Sequence, residues 1–195
     1  MFINWATNEL TLKIVYYGPG LSGKTTNLHY IYRNLDPSLR GNLVTLNTTE
    51  DRTLFFDFLQ LEFGKILGKK PRFNLYTVPG QVFYAQSRKL ILSGVDGIVF
   101  VADAQKNRMD DNLNTLLDLE QNLITMGKTL ESFPWVLQFN KVDLPNRENT
   151  EILQQKLNYF HVPQFESIAT KGIGVFETLK SIINQVVSHV QQYVY

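Results

Sequence analysis

The chain has 195 residues, a formal charge of +1, and 44% apolar, 12% aromatic and 19% charged residues, an ordinary globular balance with enough apolar content for a substantial core. So even a charge gives no electrostatic ground for nucleic acid or an anionic membrane as the main partner. The absence of cysteine excludes disulfides, thiolate metal sites, cysteine nucleophiles, prenylation and palmitoylation.

The first residues, Met1-Phe2-Ile3-Asn4-Trp5, lack the basic stretch and apolar run of a secretory signal, and Phe at position 2 excludes myristoylation. Residues 10–17 alternate as a strand, with Leu10, Leu12, Ile14 and Tyr16 on one face. Glycine-rich sequence follows, then Leu28, Ile31, Tyr32 and Leu35 at helical spacing. Residues 36–70 are the least regular stretch and suit a mobile insertion. Phe55, Phe56, Phe58, Leu59, Leu61 and Phe63 within it are expected mostly to be core or to cover the sheet edge, with some free to form a state-dependent partner surface.

Residues 73–78 alternate again, and residues 95–102 are nearly all apolar, as in a central strand covered on both faces. Leu113, Leu116, Leu117, Leu123 and Ile124 mark an amphipathic helix. Residues 135–139 and 165–169 read as further strands. Val175, Phe176, Leu179, Ile182, Ile183, Val186, Val187 and Val190 give a terminal helix. Strands alternating with helices predict an α/β fold, one domain over 1–195, with a mostly parallel central sheet flanked by helices on both faces. No apolar stretch is long enough to span a bilayer, so a soluble, cytoplasmic protein without a lipid anchor is expected.

Gly18-Pro19-Gly20-Leu21-Ser22-Gly23-Lys24-Thr25 satisfies G-x-x-x-x-G-K-[ST] in full, after a strand and at a helix start, with Thr26 next. The glycines let backbone N–H groups wrap phosphate oxygens, Lys24 reaches the β- and γ-phosphates, and the Thr25 hydroxyl ligates Mg²⁺. This loop alone specifies only a nucleoside triphosphate. Asn140-Lys141-Val142-Asp143, directly after the strand at 135–139, supplies specificity for the base. A buried Asp143 carboxylate accepts from the ring N–H and exocyclic amine of guanine, a donor pair that adenine lacks. Asn140 ties this loop to the phosphate loop, and the Lys141 stem covers one face of the base.

From Leu10 onward the chain resembles the Ras-like GTPases, and more narrowly the bacterial MglA-type switches of gliding motility and cell polarity. The resemblance lies in Lys13-Ile14-Val15-Tyr16-Tyr17-Gly18-Pro19-Gly20, Asp51-Arg52-Thr53-Leu54-Phe55-Phe56-Asp57-Phe58, Thr77-Val78-Pro79-Gly80-Gln81-Val82-Phe83-Tyr84 and the segment from Val95 to Asp103. It implies GTP and GDP as ligands, Mg²⁺ as cofactor, a Roadblock-fold activator of the MglB type, polarity or motility effectors, and recruitment to a cell pole.

It also implies two switch loops beside the γ-phosphate. In the second, the Gly80 N–H senses the γ-phosphate and Gln81 orients the attacking water. Thr77 stands where the family has the aspartate that holds Mg²⁺ through water, so either magnesium affinity is reduced or Asp51 compensates. In the first switch Thr53 is the threonine that closes on Mg²⁺, with Thr48 and Thr49 as rivals. Arg52 matches the family's arginine finger supplied in cis, and is otherwise a surface partner for Glu50 or Asp51. Ile168-Ala169-Thr170 stands in the place of the family's second guanine loop. There only the alanine matches, its N–H being available to the guanine carbonyl. A slow regulatory GTPase, a GTP-binding module that barely hydrolyses and, more distantly, a small-molecule kinase are distinguished by the copurifying nucleotide and by phosphate release.

Overall fold

The computed structural model describes residues 1–47, 55–80 and 85–193. A short strand, β1 (Phe2–Asn4), turns back antiparallel onto β2 (Glu9–Tyr17), which leads through the phosphate loop into α1 (Lys24–Asn34). Next come β3 (Val44–Asn47), β4 (Phe55–Glu62), β5 (Lys70–Thr77) and α2 (Ala85–Leu92). The remainder alternates: β6 (Gly97–Asp103), α3 (Met109–Thr125), β7 (Trp135–Asn140), α4 (Thr150–Leu157), β8 (Gln164–Ser167) and α5 (Val175–Tyr193). The strands form one eight-stranded sheet in the order β3-β4-β5-β2-β6-β7-β8, with β1 beside β2.

The alternation along β2 divides the core. Leu10, Leu12, Ile14 and Tyr16 pack with Leu28 and Ile31 of α1 and with Leu179, Ile182 and Val186 of α5. Val15 and Tyr17 face the opposite layer, with Leu92 of α2, Leu116, Leu119 and Leu123 of α3, and Leu153 and Leu157 of α4. β6 is buried at every position, as its continuous apolar run predicts for a strand covered on both faces.

Residues 36–70 are not the irregular insertion that their sequence suggests. Their second half is β4, which pairs antiparallel with β5 from Phe58↔Tyr76 to Glu62↔Arg72 and carries β3 outside it. Leu59 and Leu61 are fully buried, and Phe58 and Phe63 lie against Tyr76 and Phe73. The pairing is with a strand further along the chain, so local pattern alone does not reveal it. The strand expected at 165–169 is shorter, ending at Ser167.

α5 packs tightly over Gly97 of β6, where a Cβ would stand 2.3 Å from Val186 Cγ2 and 3.1 Å from Ile182 Cδ1. Both neighbours are buried core residues, so a methyl group there forces the packed side chains or the helix to shift. Gly97→Ala should lower stability by about 1–3 kcal/mol, the usual cost of overpacking, read as an earlier urea midpoint at unchanged m-value.

Candidate functional site

The parallel strands β2, β5, β6, β7 and β8 end on one edge, in register: Tyr16 beside Thr77, and Asp103, Asn140 and Ser167 in a row. Ligands of such sheets bind beyond this edge. The phosphate loop leaves β2 here. Gly23 precedes α1 at φ 104° with no side-chain cap, and a Cβ on it would collide with Asn140 Nδ2 at 2.1 Å. Only glycine fits there, and the uncapped helix N-terminus keeps its N–H groups free for an anion. Behind it, Gln138 of β7 exchanges hydrogen bonds with Asn27 at 2.9 and 3.1 Å and donates to Thr178 at 3.0 Å, tying α1 and α5 to the sheet.

Lys24 is 6% exposed, and its ammonium donates to the carbonyls of Gly18 at 2.9 Å and Pro19 at 2.6 Å. Burial pushes its pKa down to about 7, with the Arg88 and Arg108 charges adding to the effect and Asp57 opposing it. A multiply charged anion is the natural partner for such a group.

Facing the loop is a carboxylate that the sequence reading does not select. Asp57, near the start of β4 and 4% exposed, accepts from the hydroxyls of Thr25 at 2.6 Å, Thr77 at 3.0 Å and Thr45 at 2.9 Å. Its own N–H donates to Thr77 Oγ1 at 2.8 Å. Thr25, Thr45, Asp57 and Thr77 line a cavity of about 680 Å³ with Gly20, Lys24 and Gly80. This set of hard oxygens on one buried carboxylate suits a small divalent cation.

On the base side, Asn140 is 2% exposed. Its amide donates to the Ser22 carbonyl at 2.8 Å, joining the loop after β7 to the phosphate loop. Its oxygen accepts from Ser167 Oγ at 3.0 Å and the Ala169 N–H at 2.9 Å. From the sequence, a guanine carbonyl is the expected partner of that N–H. In the structure it is engaged within the protein, because β8 ends against Asn140. Asp143 is likewise not buried: it lies at the surface, 3.2 Å from Lys171 Nζ, because its loop has already left the sheet. Lys141, at φ 69°, sends its ammonium to Asp103 Oδ2 at 2.6 Å. Thr170 is exposed.

Gly80 rests on the phosphate loop, where a Cβ would lie 2.4 Å from the Gly20 nitrogen and 2.5 Å from the Pro19 carbonyl carbon. Arg52, Thr53, its rivals Thr48 and Thr49, Asp51 and Gln81 lie outside the described residues. Beyond Gly80, α2 is tethered from below. Arg88 Nε pairs with Asp118 of α3 at 2.9 Å, and the Tyr17 hydroxyl, just ahead of the phosphate loop, donates to the same carboxylate. Neither Asp57 nor Arg88 carries a motif signal, since each acquires its partners only through tertiary contact.

The family described as the Gtr1/RagA G protein conserved region matches residues 13–190. The chain is also 52% identical over 191 residues to the Mutual gliding-motility protein MglA of Myxococcus xanthus (strain DK1622), covering 98% of both chains.

Proposed function

The chain belongs to the G-protein family of the Gtr1/RagA conserved region and is a GTP-hydrolysing small GTPase, and we propose that it serves as the switch of a bacterial polarity or surface-motility system. The name of its Myxococcus relative supports that process. The observation that carries the site assignment is the Asn140–Ser22 hydrogen bond, which joins a phosphate loop and an Asn-Lys-x-Asp loop at one sheet edge. In this reading 1–195 works as one small-GTPase domain. Residues 18–26 cradle the phosphates, Asp143 reads guanine, and Gly80 reports the γ-phosphate. Gln81 orients water, Arg52 supplies charge to the transition state, and Thr53 closes the first switch. Those three roles rest on the family resemblance alone. Among the described residues no helix is long and apolar enough to cross a membrane, which is compatible with a cytoplasmic switch recruited to a pole.

Magnesium fits the hydroxyl–carboxylate cluster. Thr25 and Asp57 would hold it, directly or through water, and it would neutralise phosphate charge. Asp57 then supplies the carboxylate that Thr77 does not, and the bonds from Thr77 and Thr45 fix its orientation. Asp57→Asn should raise the free Mg²⁺ needed to retain GDP by about 10- to 100-fold, the usual cost of altering such a group. Release of a fluorescent GDP across a Mg²⁺ series measures it. An unchanged series would reduce Asp57 to a structural acceptor.

Phosphate release from GTP and from ATP, with and without a Roadblock-fold protein, tests the function. Release should require GTP and accelerate with the partner. Equal release from ATP would sink the guanine assignment, and an unresponsive rate the activator assignment.

A further inference from the structure

Between β6 and α3 the chain makes one 3₁₀ turn, Lys106–Arg108, which carries the Arg108 side chain to the phosphate loop. Its Nη2 donates to the Gly20 carbonyl at 2.6 Å. Its Nη1 pairs with Asp111 at 2.5 Å, and its Nε lies 3.7 Å from Asp103 Oδ2. Asp103 is 1% exposed and held in turn. The same Oδ2 receives Lys141 Nζ at 2.6 Å, and Asn112 bonds both the N–H and the carbonyl of its backbone, at 2.9 and 2.8 Å. A planar guanidinium anchored by carboxylates has little freedom in where its remaining donor points.

That donor is placed on one particular peptide. In a trans peptide the carbonyl and the following N–H point in opposite directions, and the described chain has no cis bonds. With the Gly20 carbonyl turned to Arg108, the Leu21 N–H is turned away from it. Leu21 sits at φ 65°, a left-handed conformation that a side-chain-bearing residue resists. The residue is 86% exposed, so core packing does not hold the backbone there. A charge-assisted bond to the Gly20 carbonyl opposes that resistance and polarises the peptide, strengthening the N–H as a donor.

We infer that Arg108 is a positioning residue for phosphoryl transfer, pinning the Gly20–Leu21 peptide so that the Leu21 N–H faces the phosphates. Asp103 joins this pin to the base-reading loop through Lys141. The inference rests on the phosphate-site assignment above. Arg108 need not touch the nucleotide, because its effect passes through one main-chain donor.

The test uses the full chain with Mg²⁺: GDP affinity by fluorescence titration, and single-turnover GTP hydrolysis. Arg108→Ala should slow hydrolysis roughly 10- to 100-fold, at or below the cost of deleting one donor to a developing oxyanion, while GDP affinity changes less than about tenfold. Arg108→Lys should recover little, since an ammonium cannot satisfy the carbonyl and both carboxylates together. Adding Leu21→Gly to Arg108→Ala should restore most of the rate, because glycine takes a positive φ without penalty. Wild-type hydrolysis in Arg108→Ala, full recovery with lysine, or no recovery with Leu21→Gly each overturns the inference. If the wild-type chain binds no guanine nucleotide, the site assignment beneath it fails instead.

Discussion

Asp143→Asn should exchange guanine for xanthine preference, with GDP affinity falling on the order of 10²–10³-fold and XDP overtaking it. A carboxylate offers two acceptors to the ring N–H and exocyclic amine of guanine. An amide keeps one acceptor and turns the other position into a donor, which opposes the amine but suits the carbonyl of xanthine. The wild-type carboxylate pairs with Lys171 at 3.2 Å, and the lysine side chain is 61% exposed. A pair so open contributes little stability, so the variant should fold normally and the change can be read as specificity. Parallel titrations with fluorescent GDP and XDP measure it. An unaltered GDP preference would show that this loop does not read the base.

Lys24→Met should lose GTP affinity by on the order of 10²–10³-fold, because each charge-assisted hydrogen bond to phosphate is among the stronger bonds a protein makes. Nucleotide-free stability should move the other way. Burial lowers the Lys24 pKa from 10.5 to about 7, so the folded state disfavours the charged form. Between those values the unfolded chain binds more protons, and wild-type stability rises with pH through that window. The cost of burying the charge is therefore fully present below about pH 7 and fades toward pH 10.5. Nucleotide-free Lys24→Met should be the more stable protein at pH 6, with the gap closing as pH rises. Thermal melts across a pH series check this beside the binding titration. Equal affinity in the two proteins would remove Lys24 from the phosphate site.

Both variants touch residues that are readable without a structure, and the reason is distance along the chain. The phosphate loop and the Asn-Lys-x-Asp loop are contiguous, and each follows a strand whose pattern is itself local: alternation in β2, and the largely apolar stretch at 135–139, broken only by Gln138, ahead of the second loop. Contiguous backbone that must wrap a phosphate needs glycine in a fixed spacing, so the requirement is written in consecutive letters. The long helices α3 and α5 are legible for the same reason, since a stripe over several turns repeats its signal. α4 is short, with only Leu153 and Leu157 of its residues buried, too few repeats to stand out.

Asp57 is the opposite case. In sequence it is one acid among aromatic residues. Its meaning comes from Thr25, Thr45 and Thr77, which reach it from α1, β3 and β5 only after β4 has paired with β5. Arg108 likewise gains its role from Gly20, 88 residues away. Residue types and local periodicity thus determine the α/β class, the strand–loop–helix proposed to cradle phosphate and the loop proposed to read the base, because backbone conformation and burial pattern are local properties. Which carboxylate faces the phosphate loop as the proposed cation ligand, and which arginine bonds that loop, are decided by tertiary structure. A charged or polar side chain has no intrinsic partner, and the folded sheet edge alone determines what lies within hydrogen-bonding distance.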